Sequence, residues 1–157
     1  MVGGLLLTFL LTLFAADTRN QSHGSAIHYY IQTKATLEGD EFVEVIGATN
    51  LPAGALLLLH IYDYLGEGSQ ILSEEITATV DRHGLFRAEI HAKKGRKFRA
   101  NLVCHVLFMP NYPNQLKSLL AIVGPRGEHL YSGSYNPQLG QGSGEHYYLE
   151  DLTVVTE

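Results

Sequence analysis

The sequence contains no tryptophan and only one cysteine, Cys104, among its 157 residues. A single cysteine excludes an internal disulfide, and with it the class of small domains that disulfides hold together. The chain does not need such support, because a domain of this length buries roughly 68–70% of the surface that its unfolded form exposes. The missing tryptophan argues against sugar binding that depends on stacked indole rings.

Positive charge is also scarce. The chain has 11 Lys and Arg residues against 16 Asp and Glu residues, which gives a net charge of −5 at pH 7. Proteins that bind nucleic acid normally present a net basic surface, so we expect no nucleic-acid partner. Hydrophobic residues make up 45% of the chain and charged residues 17%, values that indicate an ordinary globular protein and exclude a disordered one.

The short motifs that mark common catalytic sites are missing. There is no Gly-x-Ser-x-Gly sequence, and the eight histidines are not spaced as zinc ligands. The adjacent carboxylates Glu74-Glu75 and Glu150-Asp151 would face opposite sides of a strand, where they cannot act as a cooperating acid and base. The glycines of residues 140–144 are not followed by the helix that a phosphate-binding loop needs. We therefore expect neither an enzyme nor a bound cofactor or metal.

Charge is absent altogether from residues 1–16, which are almost entirely apolar. The segment is shorter than the roughly 20 apolar residues of a membrane-spanning helix, but it matches the apolar core of a secretory signal and ends on Ala15 and Ala16. We expect residues 1–16 to be a signal peptide or short membrane anchor, residues 17–25 a polar linker, and residues 26–157 the folded domain. The alternative for the first segment is a buried strand or helix of that domain.

From residue 26 onward, runs of β-branched, aromatic and leucine residues are interrupted by Gly, Pro, Asn or Asp, as is typical of antiparallel strands. The predicted strands are residues 27–35, 41–47, 55–64, 75–81, 85–92, 98–108, 119–123 and 147–155. The turn at Arg82-His83-Gly84 gives the strongest hairpin signal, and no segment has the period of an amphipathic helix. The pattern predicts an all-β, antiparallel immunoglobulin-like or fibronectin-like β-sandwich of about seven to eight strands. A transthyretin-like sandwich or a small barrel would show much the same pattern.

The first candidate site is a concentration of positive charge. Five of the eleven basic residues lie within one short stretch: Lys93, Lys94, Arg96, Lys97 and Arg99. On an acidic protein, such a patch could bind an anionic glycan, a lipid headgroup or an acidic partner. The alternative is a charged turn that keeps the strand ends soluble.

Tyrosines in two loops are the second candidate. Tyr112 lies between two prolines in residues 109–115, and Tyr131 and Tyr135 lie in the glycine-rich residues 124–145. A tyrosine ring combines an apolar face with a polar tip, which suits an interface, and loops commonly carry recognition. The alternative is that these rings pack inward at the ends of the domain.

Several turn and strand elements between Val43 and Gly133 form a pattern of their own. They are GATNLPAG at residues 47–54, GLF at 84–86, NQ at 114–115 and IVGPRGEHL at 122–130. In these elements the chain resembles a group of uncharacterised exported bacterial proteins with an immunoglobulin-like domain. The resemblance implies that fold and an extracytoplasmic location, and it implies no activity.

These observations lead us to expect a non-enzymatic, exported module for binding or structural support, whose partner is another envelope or extracellular protein or an anionic glycan. Membrane contact would occur only through residues 1–16, if they are not removed. One alternative is a hydrolase acting on envelope polymers, whose pocket would place His105 beside His91 or Glu89. The other is a membrane-anchored subunit of an envelope assembly.

Overall fold

The structure is a computed structural model that describes residues 27–63, 70–99, 101–130, 139–141 and 146–157. In chain order its elements are β1 (Ile31–Glu38), β2 (Phe42–Thr49), β3 (Leu56–Asp63), β4 (Ile76–Thr79), β5 (Leu85–His91), β6 (Leu102–Phe108), α1 (Lys117–Val123), a 3₁₀ turn (Glu128–Leu130), β7 (Leu139–Gln141) and β8 (Tyr147–Val154). The prediction of an all-β fold is confirmed. The proposed signal segment and polar linker, residues 1–25, lie outside the described residues. Among the residues described, no helix is long and apolar enough to cross a membrane.

The eight strands form two antiparallel sheets. The small sheet has the order β1-β2-β5, and the large sheet has the order β4-β3-β6-β8-β7. The end of β8 joins the two sheets, because Leu37 donates from its backbone N–H to Thr156 at 2.7 Å and Thr156 donates to Ala35 at 3.0 Å. The exposed edge of β1 is thereby partly covered, which limits its pairing with other chains.

Alternating side chains from both sheets build one hydrophobic core. Alternate residues of the predicted strand at 98–108 are apolar and should share one inward face, and those that the structure describes are at most 2% exposed: Phe98, Leu102, Cys104, Val106 and Phe108. Full burial of such a side chain contributes roughly 1.5–3 kcal/mol, so this face is a main source of stability. The strand itself begins only at Leu102, because Asn101 has a φ of 66°, which an extended strand does not accommodate.

The predicted hairpin across residues 82–84 is wrong, because β4 pairs with β3 and β5 pairs with β2. The turn itself is closed, since the carboxylate of Asp81 accepts hydrogen bonds from the backbone N–H groups of His83 and Leu85. On one side of the turn, the backbone N–H of Val80 donates to the carbonyl of Ala55, the residue that precedes β3. On the other side, Gly84 accepts a hydrogen bond from Thr49 of β2. These contacts direct the two strands into different sheets.

The predicted strand at residues 119–123 is also wrong, as is the expectation that the domain has no helix. These residues belong to α1, in which Leu119 and Val123 are buried. The two side chains are four residues apart and share one helix face, whereas a strand would also bury Ala121, which is exposed. A short apolar run fits a strand or a helix equally well, so periodicity alone could not separate them.

The side chain of Gln115 extends the large sheet just before α1. Its Oε1 accepts a hydrogen bond from the N–H of Leu56 at 3.1 Å, and its Nε2 donates to the carbonyls of Leu56 at 2.9 Å and Met109 at 3.1 Å. Strand β6 ends at Phe108, so the amide takes the position that the next residue of β6 would occupy. A buried side chain thus satisfies three backbone groups at the end of a sheet.

Candidate functional site

The basic cluster lies on the connection from β5 to β6. Lys93 donates from its backbone to the carbonyl of Leu72 at 2.8 Å, and Arg96 donates to Lys93 at 2.8 Å, which closes a tight turn. Gly95 adopts a φ of 78° there, a conformation that glycine reaches without steric cost. The turn is therefore anchored at its start and presents its following residues at the edge of the domain.

Beside this turn is a cleft of about 440 Å³. Three cationic residues line it, namely Arg96, Lys97 and Arg99, together with Asp63, Gln70, Leu72, Gly95 and Leu102. The structure thus brings three residues of the basic cluster, Arg96, Lys97 and Arg99, into one concave surface. Lys94 is exposed and does not line the cleft, and Lys93 lies near His60 of the large sheet instead.

The cations of the cleft differ in how far their charge is already compensated. Lys97 forms an ion pair with Asp40, and this hydrogen bond raises the pKa of Lys97 and lowers the pKa of Asp40. Arg96 donates to the neutral Oε1 of Gln70 at 3.3 Å, and its charge is not compensated by any ion pair among the described residues. Within the described part of the chain, Arg99 has no ion-pair partner.

An acidic residue completes the cleft. Asp63 ends β3 at its wall, and the buried Oδ1 atom of Asp63 has no hydrogen-bond partner among the residues that the structure describes. A buried, unpartnered acceptor costs free energy until a donor reaches it. Sequence analysis missed Asp63 and Gln70, because no motif connects them to a turn that follows about 25 residues later.

The outer face of the large sheet carries a second polar group, the histidine row, which consists of Glu75, His60 and His105. His60 pairs directly with His105 across β3 and β6, and their ring centroids are 6.5 Å apart. Glu75 lies opposite His60, because Leu59 pairs with Ile76 and the two strands are antiparallel. The ring nitrogen Nε2 of His105 lies 2.9 Å from a carboxylate oxygen of Glu150.

The environment of His60 favours its neutral form. Partial burial lowers the pKa of His60, and the positive charges of His105 and Lys93 lower it further, while Glu75 acts in the opposite direction. The Nδ1 atom of His60 is buried, and no described residue forms a hydrogen bond with it. The ring of Tyr62 contacts both His60 and His105, with centroid distances of 6.0 and 5.9 Å.

The predicted tyrosine sites have different outcomes. Tyr112 is half-buried, and its hydroxyl donates to Glu75 at 3.2 Å, so it borders the histidine row. Burial, followed by the Glu75 carboxylate, raises the pKa of Tyr112. Tyr131 and Tyr135 lie outside the described residues. The interface role of the tyrosines stays a prediction.

The neighbours of His105 differ from those that the hydrolase alternative requires, since His91 and Glu89 both lie on β5. His91 and His105 are not neighbours, because β5 and β6 belong to different sheets, and His91 packs against Phe42 at 5.6 Å. Among the described residues, no group of three or more His, Cys, Asp and Glu side chains could hold a metal ion. Burial raises the pKa of Cys104 to about 12, so its thiol is not a nucleophile at neutral pH.

Comparisons with known proteins add no relative. The chain matches no protein-family profile, no curated protein and no solved structure. The resemblance to exported bacterial proteins therefore stays a prediction.

Proposed function

We propose that the protein is a non-enzymatic binding module that works outside the cytoplasm and recognises an anionic glycan through the cleft of Arg96, Lys97 and Arg99. We further propose that its two sheets form an immunoglobulin-like sandwich, and that residues 1–16 direct its export. The observation that carries the proposal is one concave surface with uncompensated guanidinium groups on a protein of net charge −5.

The combination of charges in the cleft favours a glycan. Arg96 and Arg99 can each donate two parallel hydrogen bonds to a carboxylate or sulfate. Asp63 offers an acceptor at the same wall, and sugar hydroxyls are the donors that would satisfy it. A sugar ring that bears an acidic group supplies both kinds of partner together. Recognition through charge and hydroxyls also does not require tryptophan.

The test compares binding of the protein to a sulfated polysaccharide and to neutral dextran, by surface plasmon resonance at two salt concentrations. We expect binding to the sulfated chain alone, weakened by salt because the charges are exposed. The double variant Arg96→Gln, Arg99→Gln should weaken binding at least about tenfold. Lys94→Gln removes one charge from the same turn outside the cleft and should change binding less than about twofold.

Two results would contradict the proposal. Lys94→Gln, Arg96→Gln and Arg99→Gln each remove one positive charge. If all three single variants lose the same amount of affinity, charge alone, and not the cleft, causes binding. Retention of an acidic protein, with no binding to the polysaccharide, would assign the cleft to a protein partner.

Export is tested separately, by cell fractionation and N-terminal sequencing of the native protein. A mature chain that begins near Asp17 outside the cytoplasm is the expected result. An intact chain that sediments with membranes would favour the membrane-anchored alternative, and an intact cytoplasmic chain would contradict export.

A further inference from the structure

A groove of about 740 Å³ crosses the outer face of the small sheet, on a different surface from the basic cleft, and its lining also includes Thr79 of β4 and Asp81. Its floor is a row of three paired residues, Thr33 of β1, Gly47 of β2 and Phe86 of β5. The side chains of Thr33 and Phe86 belong to the face that the core covers, so the floor is mainly backbone.

The two walls of the groove are the neighbouring rows, whose side chains alternate to the outside. One wall is Gln32, Ala48 and Leu85, and the other is Lys34, Ile46 and Arg87. Rows two residues apart are separated by roughly 6.8 Å, and three strands span about 10 Å. A volume of this size falls in the range of roughly 300–1,000 Å³ that holds small organic ligands, but it is too small for a folded partner.

The middle of the groove is apolar. Ile46 is 44% exposed and Leu85 is 51% exposed, on opposite walls. They flank the floor at Gly47 and lie on β2 and β5, whereas the wall residues of β1 are polar. An apolar ligand body placed along β2 and β5 would cover both side chains at once.

The charges around the groove are unequally compensated. Arg87 forms an ion pair with Glu44, and the carboxylate of Asp81 is occupied by two backbone N–H groups at 2.7 and 2.9 Å. Over the described residues, Lys34 has neither an ion-pair nor a hydrogen-bond partner. The groove therefore has one uncompensated positive charge, at its β1 end.

We propose that this groove binds a small amphipathic organic anion, with its carboxylate or sulfonate beside Lys34 and its apolar body along Ile46 and Leu85. The complementarity is positional, since the unpaired cation lies on β1 and the exposed apolar side chains lie on β2 and β5. The groove shares no lining residue with the basic cleft, so the test of this proposal is independent of the test of the proposed function.

The test uses two fluorescent probes, 1-anilinonaphthalene-8-sulfonate and N-phenyl-1-naphthylamine. They share the same aromatic body, and only the first carries a negatively charged sulfonate group. We expect one sulfonate probe to bind per chain, more tightly than the uncharged one. Ile46→Thr with Leu85→Thr, which keeps strand propensity on β2, should weaken both probes at least about tenfold. Lys34→Gln should weaken the sulfonate probe about threefold and leave the uncharged probe unchanged.

A matched control lies on the other sheet, where Leu152 and Val154 are 62% and 68% exposed. The double variant Leu152→Thr, Val154→Thr should bind both probes as the original protein does. If this pair abolishes binding instead, the probes occupy the large sheet and the proposal is wrong. Equal weakening of both probes by Lys34→Gln would overturn the role assigned to that charge.

A second readout needs no substitution. Titration of the ¹⁵N-labelled protein with the sulfonate probe should shift the amide signals of Lys34, Gly47 and Leu85, and unshifted signals would overturn the site. Sedimentation with phosphatidylglycerol vesicles separates a small ligand from a membrane surface. Vesicle binding that is lost in the Ile46, Leu85 variant would assign the groove to a membrane and contradict the proposal.

Discussion

The outer faces of the two sheets use polar residues in opposite ways. On the small sheet several outward side chains are charged, and Lys34, Arg87 and Glu89 among them are exposed. On the large sheet, His60 and His105 are only partly exposed, and they lie beside Leu58, which is 5% exposed although it also faces outward. The outer face of the small sheet is therefore hydrated, whereas that of the large sheet is hydrated only in part.

This difference should determine what each polar group contributes to stability. When an exposed polar side chain is substituted, water takes its place beside its former partners, so the free energy of unfolding changes little. A buried polar group leaves its partners without hydrogen bonds when it is removed, and the cost is larger. A polar side chain of the large sheet should therefore affect stability more than an exposed side chain of the same type elsewhere in the domain.

The largest effect is expected for two side-chain amides that bridge backbone groups. Gln115 is buried and bonds to Leu56 and Met109, whereas Asn50 is exposed and bonds to Tyr30 and His28. Gln115→Met should lower the free energy of unfolding by about 3 kcal/mol, because three partly buried backbone groups lose their partner. Asn50→Leu should cost less than about 1 kcal/mol, because water replaces the amide.

Urea unfolding of both variants measures this difference. The same loss in both would contradict the view that burial, and not the number of hydrogen bonds, determines the cost.

A smaller effect is expected for the two carboxylates. Glu150 bonds to His105, whose side chain is 17% exposed, whereas Glu44 bonds to Arg87, whose side chain is 67% exposed. Glu150→Ala should destabilise the protein by about 1 kcal/mol, and Glu44→Ala by less than about 0.5 kcal/mol. A double-mutant cycle with His105→Ala and Arg87→Ala, read by thermal unfolding, gives each pair's coupling. A stronger coupling between Arg87 and Glu44 would reverse the comparison.

The smallest effect concerns the pH dependence of stability. Because burial lowers the pKa of folded His60, the unfolded chain binds more protons between that value and about 6.5. The free energy of unfolding should therefore fall as the pH is lowered from about 6.5 towards the folded pKa, by less than about 1.4 kcal/mol per pH unit. His60→Gln and His60→Phe should both remove this component when urea unfolding is repeated from pH 7 to pH 5. An unchanged slope in both variants would show that His60 is not its source.

Much of the strand pattern could be predicted, and the errors have specific causes. The inward face of β6 was predicted correctly, because alternation is a property of neighbouring residues. The predicted hairpin between β4 and β5 was wrong. Its turn allows the two strands to pair with each other or with other strands, and the contacts at Thr49 and Ala55 select the second arrangement. The helical state of residues 119–123 depends on the core that Leu119 and Val123 face.

The candidate sites show the same division. The basic cluster could be recognised from the sequence, since its members are close together in the chain, and three of its five residues line the cleft. Asp63 and Gln70 could not be connected to it, because that connection runs through the end of β3. The groove over Gly47 was also missed, since its walls come from three strands and exist only when these strands are in register.

The sequence by itself determined the all-β character of the described domain and the inward side of most strands, because both follow from the local period of apolar residues. Only the tertiary structure decided which strands pair, which histidines become neighbours and where clefts open. Such relations join residues that are far apart in the chain, and their free energies depend on register, burial and partners that local patterns do not contain.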